Sequence, residues 1–158
     1  GGAVRSVELA TIGRRVCENE WDVLSLLPGA PLPSAGAAPA PVRRDVYGRP
    51  TAAELVEAVR EWVDADVRGA TSGRVAFHAR VAVNALAMVE RELALGEGHR
   101  RAHEAGLAAL GCADEAALAE GIRSGALDDR ADEVRALVAQ TVRSKLEVAN
   151  PRWLEPDR

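Results

Sequence analysis

Apolar residues recur at helical spacing along most of this chain, and the pattern predicts helices rather than strands. From Val4 to Leu27 an apolar side chain returns roughly every three or four residues, with charged residues between them, as in an amphipathic helix. The pair Pro28-Gly29 then ends the periodic stretch. A helix with so wide an apolar stripe needs a partner surface, so we expect it to pack against the rest of the chain or against a neighbouring copy.

Residues 28–50 differ in kind from the segments around them. They hold six of the eight prolines of the chain, set among Gly, Ala and Ser. Such a composition cannot supply a packed core and favours extended backbone. We therefore interpret this stretch as a linker between two folded parts.

Two amphipathic helices are predicted directly after the linker. Thr51 and Glu54 have the spacing of a capping box, which predicts a helix from about residue 51 to Gly69. A short break at 71–73 precedes the longest apolar segment, residues 74–95, whose apolar positions cover more than half of the helix circumference. Because a helix with that pattern is normally surrounded by others, we expect it to be the central helix.

Three further helices are predicted before Pro151. Gly96-Glu97-Gly98 indicates a tight turn, followed by a helix that ends at Leu110 and contributes Leu107 and Leu110 to the core. A short helix capped by Asp114 runs through residue 122, and a last one covers about 131–149, with Asp128 or Asp129 as its cap. The last helix has one apolar stripe, formed by Val134, Leu137, Val138, Val142 and Leu146. The fold class is thus all-α: a bundle of four or five helices, with an extra N-terminal helix and a proline-rich linker.

The composition limits the kinds of partner that we expect for the chain and indicates its cellular compartment. Aromatic residues make up only 3% of the chain, so its core is built mainly from Ala, Val and Leu. The net charge of −4 argues against a nucleic-acid partner, since phosphate binding needs a concentrated basic face. No apolar run is long enough to span a membrane. Two widely separated cysteines, Cys17 and Cys112, favour free thiols and a cytoplasmic location.

Two sets of polar residues could form a binding site. His99 and His103 are four residues apart and share a helix face, which is compatible with metal chelation, although no third ligand follows at motif spacing. The alternative to a metal site is that both histidines are exposed to solvent, and we expect no metal at this pair. The second set lies on the predicted central helix, where Arg80 and Asn84 are one turn apart. With His78 and Arg91 they form either an anion-binding pocket or ion pairs between helices.

Motifs for catalysis are absent from the sequence. There is no glycine-rich phosphate loop, no GxSxG nucleophile elbow and no HExxH, and the one lysine, Lys145, lies on the last predicted helix. We therefore predict no catalytic residues and no cofactor for this chain.

Two stretches resemble known bacterial families. Residues 5–24, RSVELATIGRRVCENEWDVL, resemble the final helix of phosphotransferases of the aminoglycoside phosphotransferase/choline kinase type, in the branch associated with acyl-CoA dehydrogenase-like enzymes. Residues 49–55 (RPTAAEL), 77–86 (FHARVAVNAL), 89–92 (VERE) and Asn150-Pro151 resemble an uncharacterised helical domain that is fused to such phosphotransferases or encoded beside them.

The resemblance implies a piece of a longer, fused protein, and the chain indeed begins Gly1-Gly2 rather than with methionine. Residues 1–27 would be the terminal helix of an upstream phosphotransferase-like domain, 28–50 the linker, 51–151 the helical domain and 152–158 a tail. The ATP-binding lysine, the catalytic aspartate and the metal-binding aspartate of the phosphotransferases would lie upstream, so no catalytic residue carries over to this chain.

Two functional hypotheses follow from these observations. The first is a non-catalytic interaction module that docks on the kinase-like domain, docks on an acyl-CoA dehydrogenase-like enzyme, or forms a homodimer. The second is a module that binds an acidic or acyl small molecule around Arg80. A parent protein with phosphotransferase activity is compatible with either.

Overall fold

The computed structural model describes residues 15, 17–23, 26 and 48–155, and the all-α prediction is confirmed for these residues, which contain helices and no strand. Four helices of nine residues or longer lie within 48–155: α1 (Ala52–Trp62), α2 (Gly73–Leu110), α3 (Glu115–Arg123) and α4 (Ala131–Ala149). The described residues of the predicted N-terminal helix, at 15, 17–23 and 26, are helical and are called the N-terminal segment below. The predicted linker lies outside the described residues except for Gly48–Pro50.

Contacts between residues divide the chain into two compact units. Of the described residues, unit 1 contains 48–96, and unit 2 contains 15, 17–23, 26 and 97–155. Helix α2 belongs to both, because the boundary falls between Gly96 and Glu97. The predicted domain limits, which concern the parent protein, stay predictions.

The predicted capping box begins α1. The backbone N–H of Glu54 donates to Thr51 Oγ1 at 3.2 Å, and the Glu54 carboxylate accepts from the Thr51 N–H at 2.7 Å. These bonds satisfy two donors that the first turn of a helix otherwise leaves without partners. Beyond Trp62 the backbone continues through a π-helical turn, Val63–Val67, and one α-helical turn, Arg68–Ala70.

The predicted turn at Gly96-Glu97-Gly98 is wrong, because α2 runs through it without interruption. Neither glycine adopts a positive φ, so both keep helical backbone at a cost of about 1 kcal/mol each relative to alanine. Ion pairs one turn apart offset part of that cost: Arg100 contacts Glu97 at 2.9 Å and Glu104 at 2.7 Å. The ion pairs of Arg100 and the packing of the helix therefore outweigh the tendency of the two glycines to form a turn.

Helix α2 ends where the sequence predicts, at Gly111. This glycine has φ +75°, and the N–H groups of Gly111 and Cys112 donate to the carbonyls of Ala108 and Leu107. The two bonds form a Schellman motif, in which a glycine avoids the steric cost that other residues pay at positive φ. Asp114 caps α3 as predicted, through its side chain and the N–H of Ala117 at 2.8 Å.

The start of α4 differs from the prediction in one detail. Neither Asp128 nor Asp129 caps it, because both lie in a short 3-10 turn, Asp128–Arg130. Arg130 reaches from this turn to the carbonyl oxygen of Ala109, at 2.9 Å, and also pairs with Glu133. The turn therefore holds the start of α4 against the end of α2.

Unit 2 has a packed core centred on α4, as the apolar stripe of that helix predicts. One cluster contains Leu107, Leu110, Leu118 and Leu137, and the other contains Ala139, Val142 and Leu146. Leu146 has no exposed surface, and Cys17 and Trp21 of the N-terminal segment pack against the cluster that contains it. The N-terminal segment thus finds its partner surface on α4, as its apolar stripe requires.

Unit 1 contradicts the prediction that residues 74–95 form a buried, central helix. Between Gly73 and Gly96 one residue, Ala79, is buried. Large apolar side chains of this stretch are roughly half exposed instead, among them Val75, Phe77, Val89 and Leu93. A wide apolar surface indicates that a helix needs partners, but the partners need not lie within the same chain.

No described helix combines the length and the apolar character needed to cross a bilayer. Both cysteines are free thiols.

Candidate functional site

An apolar cleft lies within unit 2, between the N-terminal segment, the end of α2, α3 and α4. Its volume is about 600 Å³. Its walls are mainly aliphatic, and its apolar lining includes Leu118, Ala119, Ile122, Leu137, Val138 and Val142. Small-molecule sites are typically concave, mainly apolar and of this volume, with a few polar groups that fix the ligand. The cleft therefore has the general properties of a ligand site.

His103 and Thr141 provide polar groups at the cleft. The Thr141 hydroxyl donates to the Leu137 carbonyl at 2.9 Å, an i to i−4 bond within α4. Its oxygen lies 3.0 Å from His103 Nδ1. A hydroxyl has one proton, so the oxygen of Thr141 accepts from Nδ1–H. This chain of bonds fixes the orientation of the imidazole and places the proton on Nδ1.

The other imidazole nitrogen faces a carboxylate. His103 Nε2 lies 3.2 Å from Glu115 Oε1, but the atoms lack the alignment of a hydrogen bond, and Nε2 itself is buried. Glu115 is the first residue of α3, and its side chain is 74% exposed, so it is free to change rotamer. The buried Nε2 and the Glu115 carboxylate are therefore in contact at the cleft without an aligned hydrogen bond between them.

A second ion pair lies on the rim of the cleft. Lys145 Nζ is 3.3 Å from Glu20 Oε2 of the N-terminal segment, and both residues line the cleft. Each carboxylate of the lining therefore lies beside a basic side chain, Glu20 beside Lys145 and Glu115 beside His103.

Outside the lining of the cleft, Glu147 of α4 contacts two basic side chains, His99 of α2 and Arg143 of α4. Its Oε2 lies 2.9 Å from His99 Nε2, and its Oε1 accepts from Arg143 Nε at 3.0 Å. Arg143 is the one charged residue among the described residues that is buried. A buried arginine needs a carboxylate close by, because desolvating its charge is costly. The group therefore ties α2 to α4 and positions the helix face that carries His103.

The predicted histidine pair is divided between these two environments. His99 contacts Glu147, whereas His103 contacts Thr141 and Glu115. The described residues contain no group of three or more His, Cys, Asp or Glu side chains that could hold a metal ion. The two histidines share a face of one helix, as predicted, and they contact the carboxylates of Glu147 and Glu115 and the hydroxyl of Thr141.

The predicted ligand-binding set lies in unit 1, and none of its members lines the cleft. Arg80 and Asn84 are exposed. His78 and Arg91 are partly buried; the imidazole of His78 packs edge-on against Phe77, with ring centroids 5.6 Å apart. Burial lowers the pKa of Arg91, and the neighbouring Glu90 partly offsets this. A pocket around Arg80 stays a prediction.

Sequence reasoning missed the Arg143–Glu147 pair and the cleft. The pair has a detectable signal, since the residues are four apart on the helix that carries the main apolar stripe. The cleft has none, because its lining comes from four separate segments whose packing is not visible in sequence periodicity.

Comparison with known families shows a similarity that covers most of unit 2 and part of unit 1. A family described as a domain of unknown function, DUF6285, matches residues 69–153, which is more than half of the chain. No curated protein matches the chain. No solved structure matches it either.

Proposed function

Because the chain belongs to the DUF6285 family, whose function is unknown, we propose from its own surface that it is a non-catalytic interaction module that pairs with a second copy of itself. The observation that carries this proposal is the apolar surface that the helices of unit 1 leave exposed.

The first exposed stripe lies on α1. Leu55, Val59 and Trp62 are spaced four and three residues apart, so they share one face of the helix. Their exposed fractions are 53%, 48% and 57%. Covering apolar area of this kind removes it from water, which favours association, and a central tryptophan often contributes most to the affinity.

The second exposed stripe lies on the part of α2 that belongs to unit 1. Val75 and Val89 are fourteen residues apart, that is two heptads, and Leu93 follows Val89 by four. These three side chains are 52%, 40% and 48% exposed. A seven-residue repeat of apolar positions is the pattern with which helices pack side by side. Both helices of unit 1 therefore expose an apolar surface on which further helices can pack.

Charge complementarity favours a second copy as the partner. On α1, Glu57 and Glu61 are exposed, whereas Arg60 is already paired with Glu90 at 2.6 Å. On α2, Arg74 and Arg80 are exposed near its start. An acidic α1 and a basic start of α2 in the same chain complement each other in a twofold pairing, with α1 of each copy on α2 of the other.

Light scattering coupled to size exclusion tests the pairing. We expect a species of about twice the 16.7 kDa chain mass that dissociates on dilution. Trp62→Gln should weaken the dimer at least tenfold, since a buried tryptophan anchor is worth about 2 kcal/mol or more. Ala53→Gln, an exposed position of the same helix outside the stripe, is the matched control and should leave the dimer constant unchanged.

A charge swap tests the orientation. Glu57→Lys and Arg74→Glu should each weaken the dimer, and the double variant should recover part of the loss. A chain that stays monomeric at every soluble concentration contradicts self-association. If that monomer instead binds a phosphotransferase-like domain of the kind the sequence resembles, the apolar stripes serve a different partner. A dimer that is insensitive to Trp62→Gln places the interface elsewhere.

A further inference from the structure

We propose that the cleft of unit 2 binds an aliphatic molecule with an uncharged head group, such as a hydroxyl or a primary amide, independently of the pairing through unit 1. The hydrocarbon chain lies along Leu118, Ile122 and Val138, which line the cleft. The head group lies at the ion pair of Glu20 and Lys145.

The apolar lining selects the body of the ligand. The cleft has a volume of about 600 Å³, and its apolar lining is aliphatic, without Phe, Tyr or Trp. Leu118 and Val142 are buried in the core of unit 2, which holds them in position, whereas Ile122 and Val23 are 47% and 58% exposed. A ligand in the cleft would remove the apolar surface of these two side chains from water. Such a lining favours a flexible hydrocarbon chain, because it offers dispersion contacts but no ring for stacking.

The charged residues of the lining favour a head group without charge. Lys145 Nζ lies 3.3 Å from Glu20 Oε2, and His103 Nε2 lies 3.2 Å from Glu115 Oε1. The Glu115 side chain is 74% exposed, so water also screens its charge. A carboxylate or ammonium head group would lose part of its hydration at the cleft without meeting an isolated opposite charge. An uncharged head group does not have that cost.

The Glu20–Lys145 pair suits a group that both accepts and donates hydrogen bonds. The two side chains are 36% and 47% exposed, so a ligand can reach both. The Lys145 ammonium has three N–H donors, of which its contact with Glu20 uses one, and the Glu20 carboxylate accepts only. A hydroxyl accepts from Nζ and donates to the carboxylate, and the C=O and NH₂ of a primary amide do the same.

Isothermal titration calorimetry of the whole chain with eight-carbon probes tests the ligand class. At neutral pH we expect octanol and octanamide to bind at least about threefold more tightly than octanoate and octylamine. Hexanol should bind at least about fivefold more weakly than octanol, since each buried methylene contributes up to about fourfold. Octanoate or octylamine binding as tightly as octanol would overturn the uncharged head group. Absence of saturable binding by any probe would overturn the ligand site itself.

Substitutions in the ion pair test the position of the head group. Glu20→Gln removes the charge that faces Lys145, so octanoate should bind about fivefold more tightly and octanol about as before. Lys145→Gln removes the charge that faces Glu20, and octylamine should gain by a similar factor. Glu120→Gln, at an exposed position of α3 outside the lining, is the control and should change no affinity. Octanoate and octylamine affinities that neither substitution in the pair changes overturn the placement of the head group.

Substitutions on α3 test the position of the chain. Ala119→Trp should fill the cleft and abolish binding of every probe, whereas Ala116→Trp, exposed on α3 and outside the lining, should not. Ile122→Asn places an amide on the apolar wall and should weaken every probe at least about fivefold. Circular dichroism checks that each variant folds, and Ile122 is exposed enough to tolerate the change. Octanol binding that is unaffected by Ala119→Trp and by Ile122→Asn overturns the proposed site.

Discussion

Leu137 of α4 fills the space beside Gly106 of α2 that a larger residue would need. A Cβ on Gly106 would overlap Leu137 Cδ1 and would lie 3.4 Å from its Cγ. Leu137 is buried in the core of unit 2 and also lines the cleft, so a Cβ at Gly106 would force its side chain out of the position that it holds in the core. The absence of a side chain at Gly106 therefore sets how closely the two helices approach.

We expect Gly106→Ala to destabilise the protein by about 1–2 kcal/mol, because overpacking in a core costs more than the helix propensity of alanine contributes. Gly98→Ala is the control on the same helix, where an added Cβ meets no atom within 4 Å. That change should stabilise by about 0.5–1 kcal/mol. Denaturant unfolding measures both, and equal effects would show that Leu137 relaxes freely.

The bridging carboxylate of Glu147 should be important for stability. Glu147→Ala removes the group that contacts both His99 and Arg143, and we expect a loss of about 2–4 kcal/mol, since Arg143 stays buried. Glu147→Gln keeps the hydrogen-bond geometry but not the charge, and should lose less. Glu133→Gln, at the exposed start of α4, should lose least of the three in the same unfolding assay.

Truncating a side chain in the core should lower the free energy of unfolding more than truncating one at the edge of the cleft. Leu146→Ala removes three carbons from a side chain with no exposed surface, so we expect a loss of about 2–5 kcal/mol. Ile122→Ala removes three carbons from a side chain that is 47% exposed, and its loss should be well below that. Thermal unfolding compares them. Similar losses would mean that Ile122 is covered in solution, for example by a partner or ligand.

Acid should weaken the start of α1. The hydrogen bonds to the Thr51 backbone and side chain, aided by the charge of Arg49, hold the pKa of Glu54 below its ordinary 4.5. A carboxyl whose pKa is lowered on folding stabilises the folded state above its ordinary pKa, and loses that contribution as the pH falls through the folded value. The melting temperatures of the native chain and of Glu54→Gln should therefore differ at neutral pH and converge in acid.

Thr51→Ala gives the pH-independent counterpart of that experiment. We expect it to destabilise α1 by about 1 kcal/mol at neutral pH, as the loss of a capping hydroxyl usually does. A difference between the native chain and Glu54→Gln that stays constant from neutral pH into acid would argue that the carboxylate does not bond the Thr51 N–H in solution.

The residues that local chemistry controls were predicted most accurately. The Thr51–Glu54 capping box, the end of α2 at Gly111 and the Asp114 cap of α3 all depend on groups within a few residues of one another. Leu107 and Leu110 were placed in the core for a similar reason, since periodicity shows which side of a helix is apolar.

The errors arose where the outcome depends on contacts distant in sequence. Glycines 96 and 98 indicated a turn, but the ion pairs of Arg100 and the packing of α2 outweigh a local cost of about 1 kcal/mol per glycine. The apolar pattern of residues 74–95 predicted burial, yet the same pattern is compatible with a helix whose partner is another molecule. Periodicity gives the apolar face of a helix and not the surface that covers it.

The sequence alone thus determined the helical class, the places where most helices begin and end, and the apolar face of α4, because hydrogen bonding and side-chain spacing within a helix are local. Only the tertiary structure decided that Glu147 bridges His99 and Arg143, and that His103, Thr141 and Glu115 meet at one cleft. Those juxtapositions depend on the rotation and separation of helices that are far apart in the chain, and close approaches such as Gly106 against Leu137 set them.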